Sequence, residues 1–167
     1  MTLREQILAS PETLSDLAAA AEQRFREAEH LLCAGRFVGA IYLFGLASEM
    51  WLKLACFRWR GANPATRVVG LLGPARTWMA QNARTIKPES YHSLLFWAEY
   101  LIRLRLLQKN PIEALRLGQL RHHVINRLYN DWRIDMRYHP LAISEHQAWR
   151  VYNDVLWIRL TWPELWR

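Results

Sequence analysis

The sequence predicts an all-α fold, an antiparallel helical bundle of four long helices plus short accessory helices, on three observations. No run of four or more residues alternates cleanly enough between apolar and polar to read as a strand. Apolar residues recur at three- and four-residue intervals over long stretches, the spacing of one helix face. Turn-forming residues gather between those stretches. The 167 residues suit a single domain, 1–167, and a composition of 51% hydrophobic and 22% charged residues excludes a disordered or fibrous chain.

The first helix is expected over about 11–34. Ser10-Pro11-Glu12 sets an N-cap, a first-turn proline and an acid in order, and Gly35 follows the last periodic residue. Its apolar stripe is Leu14, Leu17, Ala18, Ala21, Phe25, Ala28 and Leu32. The second helix, about 36–60, is apolar nearly all round, as suits an element covered on several sides. Tyr42, Glu49, Lys53 and Arg60 fall within about 40° of one another on it at about 100° per residue. That stripe is either a solvated face carrying an ordinary Glu49–Lys53 pair or the lining of a cleft. The same two charges interrupt the apolar run before it reaches the roughly 20 residues a bilayer requires, so no membrane contact is expected.

Residues 61–74, with three glycines and two prolines, read as a connection, followed by a short helix near 75–83. A third long helix is expected over 89–108. Asn110-Pro111 caps a fourth, which runs towards Leu128 and carries Ile112, Leu115, Val124 and Ile125. Residues 131–143 read as a polar and aromatic loop. Ser144 and Gln147 form a capping box for the last helix, which Pro163 is expected to end.

Charge is unevenly spread. Residues 1–50 hold seven acidic and four basic side chains, whereas 51–167 hold 18 basic and eight acidic, and arginine supplies 19 of the 22 cations. Guanidinium suits bidentate contact with phosphate, so this bias points to nucleic acid or an acidic protein partner. The competing reading is solvated helix faces and an arginine-rich genome. Two cysteines, Cys33 and Cys56, without a CxxC motif, and no HExxH, Walker, GxGxxG or GxSxG pattern, lead us to expect no metal and no cofactor. His122 and His123 are neighbours on a helix, point about 100° apart and read as structural or surface groups. The start, MTLREQILAS, has neither a basic opening nor an apolar run, so no cleaved signal is expected, and a reducing cytoplasm is the expected location.

The loop before the last helix is the richest chemistry in the chain. Trp132, Arg133, Arg137, Tyr138 and His139 bring two guanidiniums, an imidazole and two aromatic rings into eight residues, a set that RNA phosphates and bases require. Taken with residues 34–55, AGRFVGAIYLFGLASEMWLKLA, this loop resembles the higher eukaryotes and prokaryotes nucleotide-binding (HEPN) superfamily over about 15–162. A glycine-aromatic turn opening a helix that contains Glu49-x-x-Leu52-Lys53 carries the resemblance, with Trp132 and Arg137-Tyr138 ahead of the closing helix.

Many members of that superfamily are metal-independent ribonucleases with an arginine followed after four to six residues by a histidine. Arg133 and His139 occupy that place. Arg24 with His30, and Arg116 with His122 or His123, share the spacing, so position ahead of the closing helix selects the pair. The resemblance implies that a 2′-hydroxyl attacks its own phosphodiester while His139 moves a proton and Arg133 stabilises charge on phosphate. Arg137 would hold a neighbouring phosphate or clamp Glu49, and Tyr138 or Trp132 would stack on a base. It also implies a site composed from two protomers. Ile134, where catalytic members carry a polar residue, favours a second reading: a non-catalytic dimerising or nucleotide-binding subunit beside a partner such as a nucleotidyltransferase.

A homodimer is expected on other grounds too. On the last helix Trp149, Tyr152, Leu156 and Leu160 form one apolar face and Ala148, Val151, Val155, Ile158 and Trp162 an adjoining one, wider than one bundle contact uses. The other source of cover is the N-terminal segment or 61–88. RNA or a nucleotide, and a cognate antitoxin or defence-system protein, complete the expected partners.

Overall fold

The computed structural model describes residues 12–83, 92–107, 111–138 and 142–167, without the side chains of 111–113, 137 and 138. Six α-helices run in order: α1 (Leu14–Cys33), α2 (Phe37–Trp59), α3 (Val69–Asn82), α4 (Leu94–Leu106), α5 (Pro111–Leu120) and α6 (Glu145–Leu165). The described residues contain no strand, only an isolated bridge between Thr13 and Arg67. The fold is all-α.

The first helix begins later than expected. Its N-cap is Thr13, not Ser10, because Thr13 and Asp16 close a capping box. Leu14 and Ser15 donate their backbone N–H groups to the carbonyls of Thr66 and Pro64, so the 63–66 turn satisfies donors that a helix start leaves open. The stripe is as expected, with Leu14, Leu17, Ala21, Phe25, Ala28 and Leu32 buried and Ala18 half-buried. Gly35 ends the helix at φ +70°, with Arg36 N–H reaching Leu31 O and Gly35 N–H reaching Leu32 O, a left-handed closure that favours glycine.

Helix α2 is central and contacts α1, α4 and α6. It is long and apolar enough to cross a membrane, yet 78% of its most apolar window is buried inside the fold. Phe44 and Trp51 meet Phe25 of α1, and Phe57 meets Trp97 of α4, so its apolar surface goes into this core. Helix α3 starts six residues earlier than the short helix expected near 75 and accommodates Pro74 internally. Its Trp78 rests on Tyr100 of α4.

Helix α5 continues directly into a π-helical segment, Arg121–Leu128, and a last turn, Tyr129–Asp131. Bonding from i to i+5 is rare in runs of this length and turns the side chains away from the expected α-helical register. Leu117, Leu120, Val124 and Leu128 are buried, whereas Leu115 is 70% exposed and Ile125 half-buried. A 3₁₀ turn, Ile134–Tyr138, follows where a loop was expected. The Ser144–Gln147 capping box opens α6 as expected, but Pro163 lies inside that helix, which closes at Leu165.

Of the two apolar faces of α6, Ala148, Val151, Val155 and Ile158 are fully buried within the chain. Tyr152, Leu156 and Trp162 pack partly against the same core. The surplus facing outward is therefore narrower than the sequence suggested, chiefly Trp149 and Leu160.

Candidate nucleic-acid site

Trp132 anchors the site. Its indole is 2% exposed, lies flush on Gly45 of α2, and donates its Nε1–H to the carbonyl of Tyr42 at 3.1 Å. A Cβ on Gly45 would stand 2.1 Å from that nitrogen, so glycine is required for the approach. This corrects the expectation that Trp132 stacks on a base: its ring is already covered by the core.

With Trp132 fixed inward, Arg133 points outward. Its guanidinium lies 4.0 Å from the centroid of the Tyr129 ring, a stacked arrangement that leaves its N–H edges in the plane. Among the described residues it makes no side-chain hydrogen bond or ion pair. The neighbouring Asp131 is already paired: Arg150 donates to both of its carboxylate oxygens, at 2.7 and 2.9 Å.

Two clefts meet at Arg133. The larger, about 500 Å³, is lined by Ile41, Asp131, Met136, Ile143 and Gln147 among others. The smaller, about 230 Å³, is lined by His92, Ser93, Tyr129, Trp132 and Ile134. Asp135 lines both, and its carboxylate is the lining charge that opposes an anion there. Ile134 is half-buried against the core.

Within the polar stripe of α2, Arg60 is exposed and Tyr42 half-buried, but the Glu49–Lys53 pair is not solvated. Glu49 is 2% and Lys53 8% exposed, with Nζ donating to Oε1 at 2.5 Å. Glu49 also holds Nδ1 of His92 at 3.1 Å, and so connects the central helix to the smaller cleft. Neither alternative fits the pair itself, which is buried in the core and lines neither cleft at Arg133. His92 was missed by the sequence, where it sits outside the loop and shares no motif with Glu49, 43 positions away.

His139 lies outside the described residues, as do the side chains of Arg137 and Tyr138, whose backbone belongs to the 3₁₀ turn. The Arg137–Glu49 clamp and the roles of Tyr138 and His139 therefore have no geometry here. Among the remaining histidines, His123 donates or accepts at Nδ1 against Asp154 Oδ1 at 2.8 Å and stacks on Trp157. Asp154 is 1% exposed, and Arg127 Nε stands 3.1 Å from its other oxygen without alignment for a hydrogen bond. None of these three lines either cleft at Arg133.

Comparison with family models, curated proteins and solved structures finds no match for this chain.

Proposed function

We propose that the chain is a HEPN-like effector, a metal-independent endoribonuclease of a bacterial toxin-antitoxin or antiviral defence system, built as an antiparallel bundle of four long helices. The observation that supports it best is Arg133: an exposed guanidinium stacked on Tyr129, unpaired among the described residues, at the junction of two clefts. A non-titrating cation held this way suits a phosphodiester. In this reading Arg133 stabilises developing phosphate charge, His139 transfers a proton, and Arg137 and Tyr138 bind flanking nucleotides. The protein acts in the cytoplasm as a homodimer, with Trp149 and Leu160 as the exposed apolar residues a second copy would cover. A cognate antitoxin or another defence-system protein would restrain it.

The test is incubation of the protein with mixed RNA in EDTA. Cleavage leaving 2′,3′-cyclic phosphate ends, lost in His139→Ala and much reduced in Arg133→Lys, is expected, since losing a general acid or base costs about 10² to 10⁴ in rate. A wild-type protein that cuts nothing would sink the nuclease. Ile134, an apolar residue partly turned into the core directly after Arg133, favours the second reading: a non-catalytic subunit binding RNA or a nucleotide beside a partner such as a nucleotidyltransferase.

A further inference from the structure

A third pocket, of about 310 Å³, lies where the end of α2, the turn after it, α3 and α4 meet, and shares no described lining residue with the two clefts at Arg133. We infer that it binds a small monocarboxylate with a compact apolar body, and that Arg60 holds the carboxylate. The site goes beyond the RNA-directed reading and does not depend on it.

The walls decide the body of the ligand. Phe57 of α2, Ala62 of the turn, Leu71, Pro74 and Ala75 of α3 and the Tyr100 ring of α4 are apolar. Thr66 lines the pocket too, but its hydroxyl is engaged with Asn63 inside the turn. The volume stands at the lower end of the roughly 300 to 1,000 Å³ of small-molecule sites, so the body is limited to a ring and a short chain.

Arg60 decides the charge. Among the described lining residues it alone is charged, and its Nη1 donates to the Tyr100 hydroxyl at 3.1 Å. Burial raises the Tyr100 phenol above its ordinary value of 10.0, against a smaller opposing effect of the hydrogen bond from Arg60. The partner of Arg60 is therefore a neutral hydroxyl at neutral pH, which aims the guanidinium without cancelling its charge. Arg60 makes no ion pair among the described residues, and the N–H groups left on its fork suit the two oxygens of a carboxylate. One guanidinium balances one charge. A phosphate monoester, at about −1.5 to −2, would keep uncompensated charge against apolar walls. The carbonyls that would repel an anion at the end of α2 are engaged: those of Cys56, Phe57 and Arg58 accept from the backbone N–H groups of Arg60, Ala62 and Gly61. Arg58 Nη1 donates to Ala62 O at 2.9 Å, so a second guanidinium stands at the same turn.

The experiment follows backbone amide signals by NMR while the full-length protein is titrated with hydrocinnamate. Saturable shifts are expected at Gly61, Ala62, Thr66 and Leu71. The neutral amide of the same acid should bind at least about tenfold more weakly, because it lacks the charge that Arg60 meets. Arg60→Gln should lose hydrocinnamate affinity by about the same factor, and Arg60→Lys should recover part of it, since an ammonium keeps the charge but not the fork. Tyr100→Phe keeps the ring and removes only the hydroxyl that aims the guanidinium, so affinity should fall about two- to tenfold with unchanged circular dichroism. Absence of a saturable shift, equal binding of the amide, or unchanged hydrocinnamate affinity in folded Arg60→Gln would overturn the inference. Tighter binding of phenyl phosphate than of hydrocinnamate would overturn the monocarboxylate assignment. The comparison of acid, amide and phosphate uses wild-type protein and decides the matter even where a variant fails to fold.

Discussion

Gly45 and Trp132 are in mutual contact across 87 positions of sequence, so close that a Cβ on the first would overlap the indole of the second. This contact sets the direction of the whole 132–138 segment. The indole occupies the space a side chain would fill on α2, its Nε1–H is spent on Tyr42 O, and Arg133 is left facing the clefts.

Gly45→Ala should therefore destabilise the fold even though alanine is the better helix former by about 1 kcal/mol. Overpacking of a tight contact costs about 1 to 3 kcal/mol, and the ring must leave its pocket to relieve it. Urea denaturation measures the loss, and RNA affinity should fall with it because Arg133 moves with Trp132. A more stable Gly45→Ala protein with unchanged RNA affinity would show that Trp132 does not sit on this glycine.

Asp135 supports a prediction of the opposite sign. Its carboxylate lines both clefts beside Arg133 and opposes any bound phosphate. Asp135→Asn should tighten RNA binding by about two- to fivefold at low salt, the range expected of an exposed charge worth under about 1 kcal/mol. The gain should shrink as salt screens it. Anisotropy titrations with a fluorescent oligonucleotide at two salt concentrations measure this, and weaker binding by the variant would place the nucleic acid elsewhere.

The parts legible in the sequence are those set by local pattern. The α1 stripe, the Gly35 closure, the near-complete apolarity of α2 and the Ser144–Gln147 box each follow from residues a few positions apart. What escaped depends on distant partners. The burial of Glu49 with Lys53 depends on the neighbours that cover α2, and His92 reaches Glu49 only because α4 packs on α2. Trp132 looked like a loop aromatic because its receptor, Gly45, lies on another element. One signal was available: Asp154 stands three residues after Val151 and four before Ile158, on a face otherwise apolar, and a carboxylate there demands a partner. His123 is that partner, on a π-helical segment that α-helical spacing does not anticipate.

That pair supports a stability prediction separate from RNA. Asp154→Asn should weaken the fold by about 1 to 3 kcal/mol, because it removes at a buried position the negative charge that strengthens the His123 contact and attracts Arg127. RNA binding should be unchanged in the folded variant, since neither Asp154 nor His123 lines the Arg133 clefts. Denaturant midpoints and oligonucleotide titrations on the same sample separate the two effects. A loss of RNA affinity with an unchanged midpoint would move the binding surface to the α5–α6 side.

Glu22 of α1 and Arg159 of α6 join the first and last helices, with Arg159 Nε donating to Oε2 at 3.0 Å and the guanidinium resting 4.7 Å from the Phe25 ring. The hydrogen bond from Arg159 holds the Glu22 carboxyl below its ordinary value of 4.5, against a smaller opposing effect of burial. A carboxyl whose folded value is depressed adds stability above its unfolded value and loses it as pH falls through the folded one. The contribution is thus present at neutral pH and disappears on acidification below the ordinary carboxylate range. Solvent screening limits it to under about 1 kcal/mol, because both side chains remain about one-third exposed. Glu22→Gln keeps the shape and removes the charge, so its urea midpoint should fall less steeply than that of wild type between about pH 6 and pH 3. The two proteins should converge at the acid end, where wild-type Glu22 is also neutral, and parallel curves across the range would show that this link adds nothing to stability.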